Sequence, residues 1–405
     1  MNIKKSDISE VEFISLIAML MALVALSINM ILPGFQSMTD DFSLPTSNKI
    51  GLSVSLLYAG LALGQVLFGS LSDGIGRKMA INTGLLIFIV GALLSYASGG
   101  FPLFIAGRII QGIGLGAPRV VTIAIVRDKF EGRQMARIMS FVMVIFVFIP
   151  MVSPYLGQLI IQKFGWRSLF LVFTAAAISM SVWLNFRLDE THRKADRSTL
   201  TLSVFFGNFI EVISSPPAML HAATLGVCSG AFIAYLNMSQ QILQFQYGLG
   251  TQYPLYFAFM SCGIAVASFM NGRAVVTIGM ERLTIAALLI MASLSICLAI
   301  GIAASGRDPS IMLLLSYLII MLFSFGILVS NLNAMAMRSL GNVAGMGAAI
   351  VGALSTFLSV PLAIWIGNFY VGSVQPLVLA FGVLASFGVC LSTAAIRLSV
   401  GRKPS

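Results

Sequence analysis

The sequence is poor in charge: Asp, Glu, Lys and Arg make up 9% of its 405 residues, against about 25% in an ordinary soluble domain. A chain that is 58% hydrophobic with so little charge has too little polar surface to face water and reads as an integral membrane protein. Long polar stretches are missing too, so no soluble domain fits between the apolar runs of about 20 residues that recur along its length. Such runs indicate helices, because outer-membrane strands are short and alternating. Paired cysteines are absent. Cys228, Cys262, Cys297 and Cys390 all lie in apolar runs without disulfide or metal-ligand spacing and read as packing residues. The two histidines, His192 and His221, stand at either end of a connecting segment. They leave no multi-histidine metal centre and no histidine within a span to act as a base. No zinc-binding or nucleophile-elbow spacing occurs, and the GIGLG string lacks the strand-to-helix setting of a nucleotide loop. An enzyme is not expected, and neither a metal nor another cofactor is called for.

What is present is a series of predicted spans, at about 13–34, 50–71, 79–98, 102–126, 137–161, 167–187, 218–244, 253–274, 283–304, 310–336, 343–366 and 375–396. Twelve crossings put both termini on one side. Of the 24 Lys and Arg, Arg108 and Arg119 fall inside a span, while Lys49, Lys163, Arg167 and Arg307 fall on the face opposite the termini. All the others fall on the termini's face, and that asymmetry makes it cytoplasmic. The net charge of +10 is thus a topology signal with some contact to anionic lipid, and nucleic acid is not an expected partner. The longest connection, 188–217, carries the charged DETHRKADR from Asp189 and then an amphipathic stretch through Phe205, Phe206, Phe209 and Ile210. It divides the chain into an N-terminal six-helix half, 1–187, and a C-terminal half, 218–405, with an amphipathic helix on the inner membrane surface. The halves echo each other: GSLSDGIGRK from Gly69 and NGRAVVTIG from Asn271 each follow the second span of a half. A six-plus-six duplication with binding at the interface of the halves is a transporter plan.

The fourth span, GRIIQGIGLGAPRVVTIAIVR from Gly107, places Arg108 and Arg119 on one helical face roughly 16 Å apart. A guanidinium near the bilayer centre costs about 2.5–3.5 kcal/mol on insertion scales, so that face is expected to point into the bundle or a wet cavity. Gly107, Gly112, Gly114, Gly116 and Ala117 are small enough for neighbouring helices to approach closely. The seventh span offers a second polar face, with Asn237, Gln241 and Gln244 at i, i+4 and i+7 and Gln240 beside them. These amides serve either to bind varied polar ligands or to hold helices together.

The string GSLSDGIGRK, with Gly69, Asp73, Gly76, Arg77 and Lys78, resembles the signature that follows the second helix in the major facilitator superfamily. GRIIQGIG resembles that superfamily's fourth-helix motif through Arg108, Gln111, Gly112 and Gly114, and Pro150, Pro154 and Gly157 resemble the bend of the drug:proton antiporter motif. SINMILPGF, GLALGQVLFGSLSD, FGWRSLF and NAMAMRSLGNVAG resemble the Bcr/CflA branch of drug exporters. The resemblance implies an all-α membrane protein of twelve transmembrane helices in two six-helix halves, a monomer in the bacterial inner membrane. It also implies proton-coupled drug efflux by alternating access. Asp73 would then stabilise one access state with Arg127 nearby, and Tyr58, Arg108 and Gln111 would face the central cavity.

One departure matters. The branch carries an aspartate where this chain has Asn29, and all fourteen Asp and Glu lie outside or at the edges of the spans. A cation would meet Arg108 and Arg119 without a compensating anion, so the expected substrate is anionic or zwitterionic, gripped by bidentate guanidinium bonds. An uptake or export carrier for an organic anion, such as a hydroxycarboxylate or a carboxylate siderophore, is a neighbouring expectation. A non-transporting membrane receptor or scaffold is a distant one.

Overall fold

The computed structural model describes residues 8–130, 132–192, 207, 210–338, 340 and 344–400. The expected amphipathic stretch around Phe205, Phe206 and Phe209 falls outside them. Twelve long helices carry the described chain, with no strand among the described residues: α1 (Glu10–Asn29), α2 (Leu52–Ile75), α3 (Arg77–Tyr96), α4 (Phe101–Lys129), α5 (Gly132–Phe164), α6 (Ser168–Arg187), α7 (Pro216–Gln240), α8 (Tyr253–Ile278), α9 (Met280–Ser305), α10 (Ile311–Arg338), α11 (Ala344–Gly367) and α12 (Gln375–Val400). Eleven segments are long and apolar enough to cross a membrane. The remaining helix, α5, is 33 residues long and holds Pro150 and Pro154.

The chain forms two compact units, Met1–Gly34 with Leu56–Phe206, and Phe35–Ser55 with Gly207–Ser405. In the first, α1 packs on α5, α4 and α6, and α3 packs on α4 and α6. Helix α4 is the member approached from two sides. A Cβ on Gly112 would overlap the Leu57 carbonyl of α2, and one on Gly114 would overlap Gly84 and Phe88 of α3. Glycine is thus required for backbones to come this near. Gly157 of α5 stands equally close to the backbone of Met30. Edge-to-face contacts among Phe104, Trp166, Phe170 and Phe173 fill one end of this unit.

In the second unit, α7 packs on α11, α12 and α10, α8 packs on α10, and α9 packs on α10 and α12. Helix α7 does not continue as an α-helix: residues Gln241–Gln246 form a π-helical segment. Asp308 holds its far end, accepting from Gln246 Nε2 at 2.8 Å, Ser373 Oγ at 2.8 Å and the Val374 amide at 3.1 Å. Tyr370 donates to Gln246 Oε1 at 3.0 Å and Tyr247 to the Pro309 carbonyl at 2.7 Å. Burial pushes both phenols up to about 12. One expectation is corrected here. His221 is not at the end of a connection but inside α7 and 2% exposed, because Pro216 and Pro217 open the helix before it.

Candidate functional site

Arg108 is fully enclosed in α4. Its guanidinium donates to Gln111 Oε1 at 2.7 Å, one turn along the helix, and to the Ser27 carbonyl of α1 at 2.8 Å. That carbonyl is available because α1 ends at Asn29, leaving its last carbonyls without helical donors. The ring of Phe170 lies 5.9 Å from the charge. Arg108 therefore clasps α1 to α4. Asn29 turns back on its own helix, donating to the Ala25 carbonyl at 2.8 Å. Arg119 lies three turns further along α4 and is only half-buried. It interacts electrostatically with Tyr58 of α2, also half-buried. Pro118 precedes it inside the helix, and because proline has no N–H, the Gly114 carbonyl loses its helical donor.

A second cluster joins the ends of α2, α3, α4 and α6. Gly76 turns the chain with φ 98° and ψ 157°, a region open to glycine, and starts α3 at Arg77. Arg77, counted by sequence among the loop cations, is 3% exposed. It donates to Asp73 Oδ1 at 2.5 Å, Ser72 Oγ at 2.8 Å and Asp128 Oδ2 at 2.9 Å. Glu190 accepts the backbone amides of Arg77 at 2.9 Å and Lys78 at 3.1 Å, placing an anion on the α3 N-terminus. Lys78 Nζ reaches the Asn185 carbonyl at 3.2 Å. Gly69 lies in α2 above this turn, and Arg127 is exposed at the end of α4. At the start of α1, Glu12 takes a bidentate bond from Arg187 and one from Trp183 Nε1. Sequence reading did not foresee the parts played by Glu190, Glu12 or Asp308. Their only signal is an acid just outside a span, which pairs with residues far away in the chain.

In the second unit, Asn237 donates to Ser55 Oγ at 2.8 Å, and its Oδ1 is buried without a hydrogen-bond partner. Gln240 Nε2 donates to Gln244 Oε1 at 2.9 Å. The π-helical segment starts at Gln241, so the i, i+4, i+7 face read from the sequence carries an α-helical phase only as far as that residue. Aromatic pairs flank the amides: Tyr235 stacks on Phe257 with centroids 6.0 Å apart, and Phe232 on Phe325 at 4.5 Å. Asn271 of α8 and Asn331 of α10 exchange hydrogen bonds at 2.9 and 3.0 Å.

A sequence profile described as Major Facilitator Superfamily matches residues 17–364. The chain belongs to that superfamily. It is a multi-pass membrane transporter and not an enzyme. Among curated relatives, the transporter is 27% identical over 272 residues to a bicyclomycin resistance protein homolog of Haemophilus influenzae, covering 67% of this chain and 68% of the relative. It is 33% identical over 228 residues to multidrug resistance protein MdtL of Shewanella oneidensis, covering 55% of each. Among solved structures, the human organic anion transporter MFSD10 matches with TM-score 0.69 and 18% identity, over 95% of this chain and 99% of that one. A D-xylose-proton symporter matches with TM-score 0.73 and 14% identity, over 95% and 97%. At such identities these two bear on the fold alone.

Proposed function

We propose that this transporter exports small molecules from the bacterial cytoplasm by alternating access, as a monomer in the inner membrane with both termini inside. Its preferred substrate is anionic or zwitterionic. Residues 1–187 and 218–405 act as the moving halves, joined by 188–217. One observation carries the substrate class: Arg119, half-buried as a residue and with its Nη1 enclosed, lies beside Tyr58 in the interior of α4, and every carboxylate among the described residues stands outside or near the ends of the long helices. A positive site of this kind favours anions and disfavours lone cations. Arg108 has its donors engaged by Gln111 and Ser27, so the reading gives it the task of holding α1 while Arg119 meets the ligand. Each unit brings its own candidate amides for polar groups of a substrate, Asn29 and Gln111 in the first and Asn237, Gln241 and Gln244 in the second. Export itself is supported by the names of the two relatives, which are resistance proteins at 27% and 33% identity over the aligned regions.

The test is flux in proteoliposomes, comparing citrate with ethidium for the parent protein and Arg119→Gln. The reading expects citrate to move and Arg119→Gln to slow it tenfold or more, about 1.4 kcal/mol of lost interaction. Movement of ethidium alone, at equal rates in both proteins, would make the arginine structural and the substrate a cation. A neighbouring reading, uptake of a hydroxycarboxylate, rests on the same arginine and differs in direction. Citrate accumulating inside right-side-out vesicles would favour it.

A further inference from the structure

Helix α12 crosses α7 and α9 at Gly388, where a Cβ would stand 3.0 Å from Leu288 Cδ2 of α9, 3.4 Å from Cys228 Sγ and 3.5 Å from Thr224 Cγ2 of α7. As the twelfth crossing, α12 runs antiparallel to α7 and α9. One turn toward the starts of those two helices lie His221, three residues before Thr224, and Thr284, four before Leu288. Ser392, four after Gly388, comes to the same level from α12. The three residues therefore stand at one level of the second unit. His221 is 2% exposed, and Thr284 and Ser392 are fully buried. Each presents a polar atom that meets no hydrogen-bond partner among the described residues: His221 Nδ1, Thr284 Oγ1 and Ser392 Oγ. Buried polar atoms are nearly always bonded, and each exception needs a reason. Three in one layer need a common one.

Among the described residues, the charges around the layer are few. Helix α11 has no charged residue, α10 has Arg338 alone, α12 has Arg397 alone, and α7 has none beyond the imidazole. Helix α9 brings Glu281 and Arg282 in its first turn, and Glu211, ahead of α7, is exposed. Glu281 interacts electrostatically with His221 and pairs with Arg338 at 3.1 Å. It stands one turn from Thr284 on the same helix, toward the end of the unit, with a side chain 39% exposed. Among the side chains deep in the described helices, an imidazole is the one whose charge changes near physiological pH.

We propose that this layer is a proton-binding site of the transport cycle: His221 takes up a proton that reaches it from water at Glu281 by way of the Thr284 hydroxyl, and Ser392 completes the shell. A hydronium at Glu281 gives its proton to the Thr284 oxygen and becomes water, the hydroxyl passes its original proton to the nitrogen lone pair of the neutral imidazole, and the reverse sequence returns the proton to water. Uptake accompanies the state in which the start of α7 is hydrated, and release accompanies the buried state seen here. Protons thereby couple to the second unit although the aspartate of the related exporters is replaced by Asn29.

The flux part of the test rests on the export reading, while the spectroscopic part does not. The chain has two histidines, so His192→Gln leaves a single imidazole. Its ring 13C resonance in the full chain, embedded in nanodiscs, is followed from pH 4 to 8. A one-proton titration is expected, and a resonance that stays constant across that range overturns the proposal whatever the substrate is. In proteoliposomes, His221→Gln is expected to keep counterflow of citrate or ethidium, whichever the parent exchanges. It should also lose at least tenfold of the acceleration caused by an imposed pH gradient. An unchanged gradient response in that variant, or a sodium gradient that replaces the pH gradient in the parent, overturns it as well.

Discussion

The turn between α2 and α3 and the turn between α8 and α9 are built alike and charged in opposite senses. Gly76 has φ 98° and ψ 157°, and Gly279 has φ 91° and ψ 151°. Each glycine ends one long helix and begins the next without a loop. In the first unit a cation follows the glycine, Arg77, and pairs with Asp128 in the last turn of α4. In the second, Met280 follows the glycine, and the anion one position later, Glu281, pairs with Arg338, the last residue of α10. Their surroundings differ more than their signs. Arg77 is 3% exposed and bonded to Ser72, to Asp128, whose side chain is 16% exposed, and to Asp73, whose side chain is 45% exposed, whereas the side chains of Arg338 and Glu281 are 72% and 39% exposed. The same backbone device thus serves a buried guanidinium and its carboxylates in one unit and a solvated pair in the other. Breaking a buried network leaves uncompensated charge, while breaking a solvated pair leaves charges that water can stabilise.

Substitutions at the two turns sharpen this contrast, with stability read as reversible unfolding in mixed micelles. Arg77→Gln is expected to cost about 1–3 kcal/mol, since it strips Asp128, 16% exposed, of its partner, while Asp73, 45% exposed, stays solvated. A cost below 1 kcal/mol would mean that the network is no tighter than a surface pair. Gly76→Ala and Gly279→Ala are each expected to cost about 1–3 kcal/mol, because both glycines occupy a conformation nearly closed to other residues. Unequal costs would show that the two turns are alike only in appearance. Glu190→Ala removes the anion from the α3 amides and is expected to cost about 1 kcal/mol. Glu281→Gln or Arg338→Gln is expected to change stability by no more than about 1 kcal/mol, less in high salt.

Much of this was legible in the sequence, and the reasons are specific. Twelve helices follow from apolar run length, and the echo of GSLSDGIGRK in NGRAVVTIG marked the two turns whose glycines share one conformation. The small residues of α4 marked the helix that α2 and α3 approach most closely. Pairings between segments far apart in the chain were not legible. Nothing local to Glu190 tells that it caps α3, and nothing local to Asp308 tells that it holds Gln246. The π-helical phase after Gln240 was likewise hidden, because helical periodicity presumes a constant turn. His221 was misplaced for a simple reason. Two prolines precede it, and they mark the opening of α7, which leaves the imidazole inside the helix.

The central claim is that Arg119 makes this transporter a carrier of anions. The most direct measurement is the calorimetric affinity of citrate for the purified full chain and for Arg119→Gln, in the same detergent and at the same salt. The account predicts binding to the parent weakened at least tenfold by the substitution, with ethidium binding no weaker than before. Citrate affinity that is the same in both proteins, or ethidium bound by the parent where citrate is not, would contradict it.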